Sequence, residues 1–176
     1  MKRALSLALF LLVPAMASAQ EYPQPGPEHE MLKATAGEWT CLCKTSDGTE
    51  SKGVSTSKME CGGLWLVTNF EGDFGGAKFQ GKGLDSYDPK TKKFVAVWVD
   101  SMSTTPMTLE GTYDEKTKTL TMTGEGKMPD GTLAKHRMVT KYKDKDHHSF
   151  EMFMTLPDGK EMPMMTIDYT RVAEKK

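Results

Sequence analysis

From Trp39 to the C-terminus the chain is a succession of short β-type runs broken roughly every 8 to 15 residues by tight-turn chemistry. No other feature narrows the fold as far. Links this short join antiparallel neighbours as hairpins, whereas parallel strands need crossovers of a dozen or more residues. Strands are predicted near 39–46, 50–60, 64–72, 78–87, 93–101, 107–113, 118–125, 132–143, 147–156 and 162–172. The turns between them are Asp47-Gly48, Gly62-Gly63, Gly75-Gly76, Asp88-Pro89, Asp114-Glu115, Asp130-Gly131, Asp144-Lys145 and Asp158-Gly159. The stretch Ser103-Thr104-Thr105-Pro106 is the least regular link. About ten hairpin-linked strands without a second helix favour an all-β, up-and-down antiparallel barrel over a sandwich. Two turn modules recur, Tyr87 to Phe94 echoed by Tyr113 to Leu120, and Met128-Pro129-Asp130-Gly131 echoed by Leu156-Pro157-Asp158-Gly159. Convergent turn chemistry and an ancestral duplication both account for them.

The segment before Trp39 has a different character. Lys2-Arg3, the apolar run Ala4 to Pro14 and Ala17-Ser18-Ala19 form the three regions of a signal peptide, so residues 1–19 are expected to be removed near Ala19. The apolar run is far shorter than the ~20 residues of a membrane span. The expected product is therefore exported, periplasmic or secreted. Residues 20–36 form a leader and a short helix, with Pro27 in its first turn, Glu28 and Glu30 at its positive end, and Gly37 to stop it. Residues 37–173 form one barrel domain. Without Lys2 and Arg3, 21 basic residues stand against 24 acidic ones, interspersed, which argues against a nucleic-acid footprint.

Residues two apart on a strand share a face, so outward charges identify the inward set. Lys135, Arg137, Val139, Lys141 and Lys143 read as wet, leaving His136, Met138, Thr140 and Tyr142 inward. Ser149 and Glu151 point out, against His148, Phe150, Met152, Met154 and Leu156. Met165, Ile167, Tyr169 and Arg171 point in. Leu120 and Met122, Leu66 and Phe70, and Phe94, Ala96 and Trp98 join them. Arg171 then meets Trp39 if the last strand pairs with the first, a guanidinium stacked on an indole that closes the cylinder. The interior is rich in methionine, which adapts to irregular apolar partners and equally fills a solid core.

Gly37-Glu38-Trp39 after a short helix, with Arg171 on the last strand, resembles the signature of the calycins, the lipocalin and fatty-acid-binding-protein superfamily. Pro27-Glu28-His29, Gly81-Lys82-Gly83 with Tyr87-Asp88, Trp98 to Thr104, Glu110 to Asp114 and Asp146 to Met152 resemble an uncharacterised bacterial family, domain of unknown function 1579. That resemblance runs over nearly all of the mature chain. It implies a calycin-like barrel, often exported, and no established activity.

The residues themselves support three functional classes. The first is a small-molecule-binding barrel for an apolar or amphipathic ligand, lined by Trp98, Met122, His136, Met138, Tyr142, Phe150, Met152 and Met154. A polar rim of Asp100, Ser101, Ser103, Thr104 and His148 would orient its head group. The second is a soft-metal or haem-handling protein, since His136 sits mid-strand facing inward and thioethers suit Cu(I). The third is a small hydrolase or isomerase using Asp100 and His148 at one barrel mouth, although no catalytic motif is present. Cys41, Cys43 and Cys61 are disulfide candidates in an oxidising compartment. A hairpin about Asp47-Gly48 pairs Cys41 with position 54, far from Cys61 along an unbent strand, so free buried thiols and a thiolate site stay open as well.

Overall fold

A computed structural model describes residues 22–74, 76–127 and 131–173. The targeting segment Met1–Gln20, Gly75 and the Met128-Pro129-Asp130 part of one turn module lie outside them. Helix α1 (Pro27–Ala34) precedes ten strands: β1 (Gly37–Thr45), β2 (Glu50–Glu60), β3 (Trp65–Phe74), β4 (Ala77–Asp88), β5 (Lys93–Asp100), β6 (Met107–Asp114), β7 (Thr119–Lys127), β8 (Leu133–Tyr142), β9 (His147–Thr155) and β10 (Glu161–Arg171). Each strand pairs antiparallel with its sequence neighbour, and β1 pairs with β10 to close the barrel.

The hairpins share one device. In the links after β1, β4, β6, β8 and β9, the carboxylates of Asp47, Asp88, Asp114, Asp144 and Asp158 accept the backbone N–H two residues on, at 2.7–3.0 Å. These bonds hold Asp88, Asp114, Asp144 and Asp158 below the usual carboxylate range, and the Thr45 hydroxyl leads in doing so for Asp47. The echoed modules also match in backbone, with Lys92 and Lys118 in the left-handed region at φ 56° and 51°.

Closure occurs where the sequence places it. Trp39 is opposite Arg171 in the β1–β10 register, and the guanidinium lies 4.0 Å from the indole centroid. Arg171 also donates from Nη1 to the Ala36 carbonyl (2.7 Å), from Nη2 to Ala34 (2.8 Å) and from Nε to Lys145 (2.8 Å). Gly37 is required beside it. Its φ of 132° and a hypothetical Cβ only 2.4 Å from Arg171 Nη1 both exclude a side chain.

Antiparallel winding gives the barrel two unlike ends. The links after β2, β4, β6 and β8 lie at one end with α1 and Arg171, and the links after β1, β3, β5, β7 and β9 lie at the other. Leu32 of α1 packs with Leu66, Phe94, Ala96, Leu109, Leu120 and Met122 in one buried cluster. Trp39, Cys41, Cys43, Phe70 and Ile167 form a second, separate one.

Three expectations need correction. Val139 shares the outward face yet is 6% exposed. Its cross-strand partner Glu151 is ion-paired to Lys141 at 3.2 Å, and long charged side chains of this kind cover an apolar neighbour with their stems. Cys41 pairs with Gly53, not position 54, and all three cysteines are free. Cys61 lies in a 3-10 turn beyond the end of β2, exposed, while Cys41 and Cys43 are buried in the wall, so no bridge forms. Finally, His148 does not share a rim with Asp100. β5 ends at Asp100 at the far end of the barrel, whereas β9 begins beside His148 at the helix end.

Candidate functional site

The candidate site is the barrel interior. Cross-strand partners share a face, so the register assigns the lining directly. Met122, Met138, Met152 and Met165 stand opposite one another across β7, β8, β9 and β10. The next row is Gly124, His136, Met154 and Met162. A bulge at Pro163–Met165 realigns the last strand so that Met162 and Met165 pair onto the two rows.

The two buried clusters do not merge, and the residues between them are not fully buried. Trp98, Met138, Tyr142, Phe150, Met152, Met154, Met165 and Tyr169 face inward but keep accessible surface. A solid core would bury them completely, as Met122 is at 6%. Met122 and His136 are thus buried; Met138 and Tyr142 pack against the helix-side cluster and Trp98 and Phe150 against the other, each keeping some accessible surface. Trp98 lies flat along glycines: a Cβ at Gly81 would be 2.2 Å from its ring. Two cavities lie on the outer surface of the barrel. One of about 740 Å³ is a groove on the outer wall between β5 and β8, lined by Val95, Val97, Glu110 and Lys135. The other, about 440 Å³, crosses β3 to β5 near Asn69, Lys82 and Ser101.

Polar groups line the interior unevenly. Toward the helix end, His148 stacks on Tyr169 with centroids 4.2 Å apart and planes 13° from parallel. Trp39 meets it edge-on at 4.4 Å, and Tyr142 lies at 5.8 Å. Burial first, and then the positive charge of Arg171, push its pKa down to about 4, so the imidazole is neutral at pH 7. Nearer the far end, His136 is 5% exposed and its Nδ1 has no hydrogen-bond partner. Its Cδ2 and Nε2 lie 3.4 Å from the point where a Cβ on Gly126 would sit, with the Met107 methyl at 2.5 Å from that point. Burial lowers its pKa too. His136, Met107 and Met154 are thus the residues placed to hold a soft metal or a haem iron. Among the described residues no cluster of three or more His, Cys, Asp or Glu exists.

Asp100 is occupied structurally: one carboxylate oxygen accepts the Trp98 indole N–H (2.9 Å), the other the Met102 N–H (2.9 Å). Ser101 Oγ accepts the Gln80 N–H at 3.1 Å, and Ser103 Oγ bonds Thr105 within the same link as Thr104. Asp100 and His148 lie at opposite ends, so no nucleophile–base pair forms from them. Burial pushes the Cys41 thiol up to about 12 and raises Cys43 as well, which leaves both protonated at neutral pH.

One interior group escaped the sequence reading. Asp85 pairs with Leu66 on β3 and Ala96 on β5, both buried core residues, so its carboxylate faces the same way. It accepts no hydrogen bond and meets no cation within the described residues. Burial alone pushes its pKa up to about 7. The alternation that sorts β8 and β9 would have found it: with Lys82 outward, residues 81, 83 and 85 point in.

No curated protein matches the sequence. Among solved structures, Rv2717c from M. tuberculosis superposes with a TM-score of 0.63 at 12% identity, over 84% of this chain and 99% of that one. The S-type phycobiliprotein lyase CPES from Guillardia theta gives a TM-score of 0.57 at 11% identity, over 84% of this chain and 94% of that one. Identities this low establish a common barrel fold. A profile described as "Protein of unknown function (DUF1579)" matches residues 24–171, and the chain therefore belongs to the DUF1579 family.

Proposed function

We propose that this protein is an exported barrel that binds a small apolar or amphipathic molecule in its interior. The observation that carries this reading is the set of inward methionine and aromatic side chains, on two distinct buried clusters, that keep accessible surface inside a closed barrel. Apolar, adaptable walls with a few polar groups are what a small-molecule site requires. The barrel fold shared with a phycobiliprotein lyase and Rv2717c fits this reading. The basic, apolar and small-residue regions of residues 1–19 support export.

Native mass spectrometry of protein purified from its own host tests the binding. A bound small-molecule mass that leaves on unfolding is expected. A bare polypeptide mass, together with no change in tryptophan emission on titrating dodecanol, refutes it. An intact mass beginning at or near Gln20 is the corresponding test of export. A second reading, soft-metal or haem handling, is favoured by the unpartnered Nδ1 of His136 beside methionine thioethers. Titration with Cu(I) or haem, with His136→Ala as control, decides it.

A further inference from the structure

Asp85 is an isolated charge in an apolar chamber. The inward faces of the described strands carry two carboxylates, Asp85 and Asp100, and both oxygens of Asp100 are already used. Asp85 accepts no hydrogen bond from the protein, and its Oδ2 lies 3.5 Å from the point where a Cβ on Gly83 would sit. The Trp98 ring lies 3.4 Å from that same point and Thr68 Cβ 3.6 Å, so carboxylate and indole border one patch of wall. Trp98 donates its N–H to Asp100, which fixes the ring against the glycines. Tyr142 and Tyr169 also face inward, each paired with His148 in the register. Neither hydroxyl donates to a described protein group. A half-buried carboxylate among apolar neighbours, with no protein partner but with accessible oxygens, is a group that a cation from outside can reach and pair.

We propose that the ligand is an amphipathic amine, its protonated nitrogen on Asp85 and beside the Trp98 ring, its apolar part against the methionine rows. This deepens the binding reading above and rests on it. The carboxylate supplies the counter-charge, the indole face supplies cation–π attraction, and the tyrosine hydroxyls accept further N–H donors. Methionines on β8, β9 and β10 accept an alkyl or aromatic tail without demanding one shape.

The test compares dodecylamine, dodecanol and dodecanoate at pH 8, read by tryptophan emission and calorimetry on the mature protein. The wild type is expected to bind the amine about tenfold or more tightly than the alcohol, and the carboxylate weakest. Asp85→Asn is expected to bind amine and alcohol alike. Asp85→Ala serves as the second variant and should behave as Asp85→Asn does. Equal binding of amine and alcohol by the wild type, or an amine preference that survives both substitutions, overturns the proposal while leaving the cavity reading intact. Failure of all three probes to bind overturns both.

Discussion

Replacing Asp85 by asparagine should make the protein more stable above neutrality and leave it nearly unchanged near pH 4. Burial lifts this carboxyl from 3.8 to about 7. At ~1.36 kcal/mol per pH unit, ionising it inside the folded barrel costs roughly 4 kcal/mol. The sign follows from proton uptake: between pH 4 and 7 the folded state holds the proton that the unfolded state has released. The contribution is therefore intact below pH 4, declines as pH rises, and is fully lost above about 7. His148 runs the other way. Its pKa falls from 6.5 to about 4, so the unfolded state takes the proton first, and roughly 3 kcal/mol disappears as pH drops through that window. The two oppose each other between pH 4 and 6.5, with the lowered pKa of His136 adding to the side of His148. Urea denaturation at five pH values should show an Asp85→Asn variant whose stability relative to wild type climbs by about 3 kcal/mol from pH 4 to 6.5, and a His148→Phe variant whose stability relative to wild type falls over the same range. A difference between Asp85→Asn and wild type that does not vary with pH would refute the reasoning.

Three further outcomes are expected. Arg171→Ala should cost about 3–5 kcal/mol, since three backbone carbonyls and the Trp39 face lose one partner, and Arg171→Lys should recover little because an ammonium lacks the planar fork; equal melting temperatures for Lys and Arg would contradict this. In native protein iodoacetamide should label Cys61 alone, and after unfolding all three cysteines, by intact mass; a disulfide or rapid native labelling of Cys41 would refute the free, buried thiols. Gly81→Ala should displace Trp98, shifting tryptophan emission to the red and weakening amine binding; an unchanged spectrum would deny the close approach.

Strand positions were legible because the hairpin links carry turn residues whose chemistry is local: the aspartates that cap the links need no tertiary partner. Side-chain alternation likewise placed Leu66, Phe94, Leu120 and Ile167 inside without knowledge of the neighbours. What lay beyond the sequence was anything set by which strands meet and at which end. Asp100 and His148 look equally near a mouth in a linear reading, but antiparallel winding sends them to opposite ends. Val139 looks wet among lysines, and only the cross-strand ion pair explains its burial. Asp85 was legible in principle, yet a carboxylate inside an apolar barrel runs against the expectation that charges face water.

The residue that seals the cylinder stands on β10, opposite Trp39 on β1. Strand β1 cannot acquire its second neighbour, nor can the Ala34 and Ala36 carbonyls receive the guanidinium, until β10 has joined the sheet. A sheet not yet closed has two unsatisfied edges, and its closure is the pairing most distant in sequence.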